Sequence, residues 1–201
     1  IVPYTPRLHA HSLHLPLRQQ HYHLLCWGDL AQVRPDAPAL VLLHGWMDVA
    51  ASFQFMVDEL DRLGAAPACI IAPDWRGFGA STGPATDGYW FPDYLGDLDA
   101  LLDALLPGQP VDLLGHSMGG NVAMIYAGVR PERVRKLINL EGFGMPQTRP
   151  EQAPKRYRTW LDELKSTAEM RDYPSAAAVA ERLRKNNPRL LPDMAVWLAP
   201  W

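Results

Sequence analysis

Ser117 is the residue whose surroundings most directly suggest chemistry. It stands at the apex of Val111-Asp-Leu-Leu-Gly-His-Ser-Met-Gly-Gly-Asn-Val-Ala-Met-Ile125, which reads as an apolar strand, a glycine-pinched turn and an apolar helix. Gly115, Gly119 and Gly120 leave room where β-carbons would collide as a strand turns straight into a helix, the backbone of a nucleophile elbow. Such a turn lifts a hydroxyl clear of the sheet and aims the first N–H groups of the helix at whatever the hydroxyl attacks. The alternative is an ordinary Gly/Ser turn between two core elements. The apolar strand before the motif and the apolar helix after it favour the elbow.

The elements that must hold this turn follow in order. Short alternating segments from Ser12 to Leu17 and from His21 to Trp27 predict a β-hairpin around Arg18-Gln-Gln20. His9 and His11, like His21 and His23, are spaced i and i+2, so each pair shares one face of a strand. That is a metal-ligand spacing, but no cysteine or carboxylate completes a set; a solvated hairpin face is the expectation, with no metal and no cofactor. Ala39–Leu43 and Ala68–Ala72 read as buried strands, each delivering a loop: His44-Gly45-Trp46 and Pro73-Asp-Trp-Arg-Gly-Phe-Gly-Ala-Ser81. Phe53 to Leu63 and Tyr94 to Leu105 carry helical spacing, and Lys136–Leu140 reads as a further strand. Strand and helix alternating in this way predict an α/β fold, a mostly parallel sheet with helices on both faces.

After Glu141 the texture changes. A Gly/Pro-rich stretch leads to two amphipathic segments, Tyr157 to Leu164 and Ala176 to Leu183. The expected division is a core over 1–141 and a helical cap insertion over 142–201, incomplete at Trp201, lying over the carboxyl ends of the strands; further helices packed at a sheet edge are the alternative.

The 201 residues carry a formal net charge of -3 and 48% hydrophobic residues, without a long run of like charge. That composition gives no electrostatic footprint for nucleic acid or an anionic membrane, so the expected partner is a small molecule. The amino terminus lacks a basic, apolar leader, and Cys26 and Cys69 sit in apolar runs as buried thiols; a cytoplasmic location is expected. No motif encodes the natural substrate or the oligomeric state.

Three motifs in fixed order, His44-Gly45-Trp46, Asp74-Trp-Arg-Gly-Phe-Gly-Ala-Ser81 and Gly115-His-Ser-Met-Gly-Gly120, resemble the α/β-hydrolase superfamily. The resemblance implies that fold, in its N-terminal portion, and a serine esterase chemistry. Ser117 matches the nucleophile, and the backbone N–H groups of Met118 and Trp46 match the oxyanion hole. His44 and Gly45 match the loop that supports it, with His44 structural rather than the base. Asp74 and Arg76 match a loop braced by an Asp–Arg pair. In most of these hydrolases the acid follows the seventh strand, in some the sixth. Leu140-Glu-Gly-Phe-Gly-Met-Pro146 resembles the latter, which makes Glu141 the acid; the alternative is a carboxylate capping the first turn of the insertion.

Every histidine here precedes Ser117, whereas the family order is nucleophile, acid, histidine. His116 points away from its neighbour on the turn and is a poor base. The expected explanation is a truncated or partly covered chain whose remainder carries the final strands and the base, with a natural binding fragment as the alternative.

Trp46, Met118, Phe143, Met145 and Trp160 are expected pocket walls, so the expected substrate is an apolar ester or related acyl compound opened through an acyl-enzyme. Haloalkane dehalogenases and epoxide hydrolases resemble this chain but carry Asp at the elbow. A cofactor-free haloperoxidase, a carbon–carbon bond hydrolase and a catalytically silent binding module are the alternatives. A Rossmann-type nucleotide binder fails because the turn after the first buried strand lacks G-x-G-x-x-G.

Overall fold

A computed structural model describes residues 2–86, 88–144, 146–165 and 172–201. They form two compact units, Ile1–Phe143 with Trp201, and Gly144–Pro200.

In the first unit six strands make one sheet in the order β1-β2-β4-β3-β5-β6. Strands β1 (His11–Leu17) and β2 (Gln20–Gly28) are the expected hairpin, and its tight turn puts Arg18 at φ 54°. Strand β2 also pairs antiparallel with β4 (Cys69–Pro73). It is therefore an internal strand, which is why Tyr22 to Trp27 is continuously buried. Strand β3 (Leu40–Leu43) runs parallel to β4 and to β5 (Val111–His116), and β6 (Val134–Leu140) runs parallel to β5. Both faces of β3 are covered, so its four residues are all apolar and all buried.

Helices α1 (Gln54–Arg62), α2 (Phe91–Leu105) and α3 (Met118–Val129) connect the strands. Gly64 ends α1 in the left-handed region at φ 64°, its N–H donating to the Asp61 carbonyl while that of Ala65 donates to Leu60. Proline at the first turn of α2 sits where its missing N–H is harmless. The apolar stripe of α2 (Leu98, Leu101, Leu102) and that of α3 (Val122, Ala123, Tyr126) join Leu24, Val41, Leu43, Ile71 and Leu113 in one core. Cys26 and Cys69 lie in it as free thiols, sulfurs 4.0 Å apart.

Strand β6 departs from the buried strand its composition suggests: Leu137, Ile138 and Leu140 are each about 40% exposed. Among the described residues β6 pairs with β5 alone, which leaves its other edge uncovered.

The second unit holds α4 (Ala153–Glu163), α5 (Ala176–Asn186) and α6 (Pro192–Leu198). Ser175 caps α5 by accepting the Ala178 N–H at 3.2 Å. Ala180 and Ala195 are buried. Helix α6 goes beyond the two amphipathic segments expected: it is two turns long, too short for a clear period. No residue of α4 is buried. Among the described residues no helix is long and apolar enough to cross a membrane.

Candidate active site

Ser117 joins β5 to α3 at φ 52° and ψ -115°, a left-handed conformation that costs a non-glycine residue roughly 1–3 kcal/mol. Its neighbours over-determine that shape. A β-carbon on Gly115 would lie 2.3 Å from the Gly119 carbonyl oxygen, and one on Gly119 would lie 2.1 Å from that of Leu43. Only glycine lets α3 start so close to the ends of two strands. The Ser117 N–H donates to the Leu140 carbonyl at 2.8 Å, and the Ser117 carbonyl accepts the Asn121 N–H at 3.1 Å. The side chain makes no capping bond to α3 and is only partly buried, so its hydroxyl remains available. Met118 opens α3, where N–H groups lack helical partners.

The loop after β3 meets this turn. A β-carbon on Gly45 would stand 3.2 Å from the Ser117 β-carbon and 3.2 Å from His116 Nδ1. Trp46 is half exposed, with its ring edge-on to Phe78 at 5.0 Å and to Tyr89 at 6.3 Å. His44 is fully buried and both ring nitrogens are engaged. Nε2 accepts the Trp75 N–H at 2.9 Å, so Nδ1 carries the proton and donates to the Gly45 carbonyl at 2.7 Å. The Trp75 indole N–H donates to the His44 carbonyl at 3.0 Å. Burial pushes the His44 pKa below the usual imidazole range and keeps it neutral.

Glu141 follows β6 at φ 61°, one residue beyond the carbonyl that anchors Ser117. It is exposed, and among the described residues the first helical turn after it begins at Pro150. Asn139, which sequence reasoning passed over, shapes this exit: its side chain donates to the Gly142 carbonyl at 2.7 Å and accepts the Gly142 N–H at 2.8 Å. Met47 at φ 57°, Ser117 and Glu141 thus put a strained non-glycine residue just past the carboxyl end of each of β3, β5 and β6, three adjacent strands. Clustered strain of this kind marks functional sites.

The expected Asp74–Arg76 pair is not formed. Arg76 makes a two-pronged bond to Asp97 of α2, at 2.6 and 2.7 Å, which also accepts from Tyr22 at 2.5 Å and Arg18 at 3.1 Å. Asp74 instead accepts from His23 Nδ1 at 2.7 Å and from the N–H groups of Ala50 and Ala80 at 2.7 and 2.9 Å. Burial alone would raise the Asp74 pKa, but these three donors outweigh it and hold the carboxylate below its usual range. The expectation of a solvated histidine face is corrected too. His9, His11 and His21 are exposed, whereas His23 is buried because β2 lies between β1 and β4.

Of the remaining expected pocket residues, Phe143 is exposed and Met145 lies outside the described residues. Trp160, on α4, lines a groove of the second unit with Pro150, Ala153, Arg156 and Tyr157.

Comparison with known proteins agrees with this architecture. The family model for the alpha/beta hydrolase fold matches residues 38–193, and the chain belongs to that family. A serine hydrolase-like protein of Danio rerio is 31% identical over 146 residues, 72% of this chain and 41% of the relative. Epoxide hydrolase 2 of Siraitia grosvenorii is 38% identical over 106 residues, 52% of this chain and 32% of the relative. The chain spans less than half the length of either. Among solved structures, a thioesterase domain from the curacin biosynthetic pathway superposes with a TM-score of 0.80 at 29% identity, over 96% of this chain and 65% of that one.

Proposed function

We propose that the protein is a serine hydrolase that opens a carboxylic ester or related acyl compound through an acyl-enzyme on Ser117. The observation that carries this reading is the strained Ser117 backbone between β5 and α3, with its hydroxyl unused by the fold and the Gly45 loop against it. In the proposed cycle Ser117 Oγ attacks the substrate carbonyl, and the N–H groups of Met118 and Trp46 stabilise the oxyanion, each worth on the order of 3 kcal/mol. Glu141 is the acid that orients the base. His44 is not that base, since Nε2 already accepts the Trp75 N–H and Nδ1 donates to the Gly45 carbonyl; it fixes the oxyanion loop. The base is assigned to a histidine following residue 201, in the order the family uses.

A fluorophosphonate probe applied to the full-length protein, followed by peptide mapping, tests this. An adduct on Ser117, and ester hydrolysis lost in Ser117→Ala, are expected. Folded protein with no adduct on Ser117 overturns the reading in favour of a binding module. The alternative of alkyl substitution, named for the epoxide hydrolase relative, finds no carboxylate at position 117.

A further inference from the structure

Ser12 stands in the middle of a second arrangement that the elbow does not use. Its Oγ lies 2.9 Å from His23 Nε2, and His23 Nδ1 lies 2.7 Å from Asp74 Oδ2. The chemistry of the partners fixes the proton positions. The Asp74 carboxylate is held ionised and can only accept, so His23 Nδ1 carries its proton toward it. With the proton on Nδ1, an unprotonated Nε2 accepts, and the Ser12 hydroxyl donates to it.

Three elements distant in sequence build this line. Ser12 is on β1, His23 on β2 and Asp74 just beyond β4. His23 is 3% exposed and Asp74 3%, whereas Ser12 is exposed. The imidazole is also held by its own backbone: the His23 N–H donates to Ser81 Oγ at 2.9 Å, its carbonyl accepts the Asp74 N–H at 2.9 Å, and the His14 ring packs on it at 4.9 Å. A buried, oriented imidazole with a carboxylate behind it and an accessible hydroxyl in front is the activating half of a serine nucleophile.

We propose that Ser12, His23 and Asp74 form a second reactive-serine site that captures electrophilic acyl or phosphoryl compounds. Ser12 Oγ forms the new bond to carbon or phosphorus and His23 Nε2 takes the hydroxyl proton. The bond to the leaving group breaks with departure of an alkoxide, phenolate or fluoride, which receives the proton through solvent. Asp74 is the positioning residue that stabilises the imidazolium. Ser12 lies in an extended strand rather than at a helix N-terminus, so it lacks the elbow's donors for an oxyanion. The site is accordingly one of single capture, not turnover.

The test uses the full-length Ser117→Ala protein and an alkyl fluorophosphonate, with adducts located by tandem mass spectrometry and timed by intact mass. Ser175, whose exposed hydroxyl only caps α5, is the internal reference. An adduct on Ser12 should form about a hundredfold faster than one on Ser175, the scale of general-base help. It should disappear in Ser12→Ala and slow to the Ser175 rate in His23→Gln. In Asp74→Asn, whose amide no longer stabilises the imidazolium formed as the hydroxyl proton is taken, the Ser12 rate should fall toward that of Ser175. No adduct on Ser12, or a rate equal to that of Ser175, overturns the proposal. If His23→Gln fails to fold, the Ser12 rate relative to that of Ser175 in the parent protein decides. Because mapping separates the two serines, an empty Ser117 and an empty Ser12 are independent results.

Discussion

The two serines divide the requirements of acyl transfer between them. Ser117 has the strained backbone, the helix N-terminus and the glycine-cleared approach, yet among the described residues no imidazole is bonded to its hydroxyl. Ser12 sits in relaxed strand geometry with an imidazole and a carboxylate lined up behind it. The halves arise from different features of the chain. The elbow is local, made by residues 115 to 120 at one strand–helix junction, whereas the relay exists only when β1 and β2 pair and the loop after β4 folds against them. In the two proposals, positioning an oxyanion and activating a nucleophile are assigned to different serines.

The largest effect that would break this division concerns turnover. Ser117→Ala should lower ester hydrolysis by the full-length protein about 10⁴-fold or more, since a nucleophile's loss removes the covalent route. Turnover surviving that change would give catalysis to Ser12 or to another group, which steady-state assays with a chromogenic ester would detect. Asp74→Asn comes next. Asp74 Oδ2 receives both His23 and Ala80, and Oδ1 receives Ala50, so wherever the amide nitrogen lies at least one donor meets a donor. A cost of about 3 kcal/mol is expected, read as a melting-temperature fall of about 10 °C. The wild-type carboxylate has its pKa lowered by folding. Its contribution is therefore complete above the unfolded value of about 3.9 and lost as pH falls through the folded one. Melting curves from pH 6 to pH 2 should show that acid loss in wild type and not in Asp74→Asn.

The elbow was readable in the sequence because all its requirements are neighbours in the chain: glycines two residues to either side of Ser117, an apolar strand before it and an apolar helix after it. The parallel pairing of β3 with β4 and β5, and of β5 with β6, follows from the same alternation. The relay was not readable. His21 and His23 share a spacing, and only the position of β2 between β1 and β4 decides that His23 is enclosed while His21 stays exposed. Arg76 turns from the nearby Asp74 to Asp97, 21 residues away on α2 and already held by Tyr22, with Asp93 of the same helix at 3.4 Å.

Two smaller changes sharpen the comparison by acting on one serine at a time. A methyl group in Gly45→Ala would stand 3.2 Å from the Ser117 β-carbon, so the serine or the loop must shift by a few tenths of an ångström. Reactivity depends steeply on such placement, and labelling at Ser117 should slow about tenfold while the Ser12 adduct, measured in the same digest, keeps its rate. The smallest effect is expected from Arg76→Lys. Lysine replaces the two-pronged grip on Asp97 with a single point charge, while Arg18 and Tyr22 continue to hold that carboxylate, so about 1 kcal/mol and a melting-temperature fall of about 3 °C are expected. Arg76 lies two residues beyond Asp74, and its contacts lead to α2 rather than to β1. If the Ser12 labelling rate is unchanged, the relay is held by Ala50, Ala80 and Ser81 independently of the α2 brace; if it falls with the melting temperature, the loop after β4 responds as one body and the two halves of the comparison share a support.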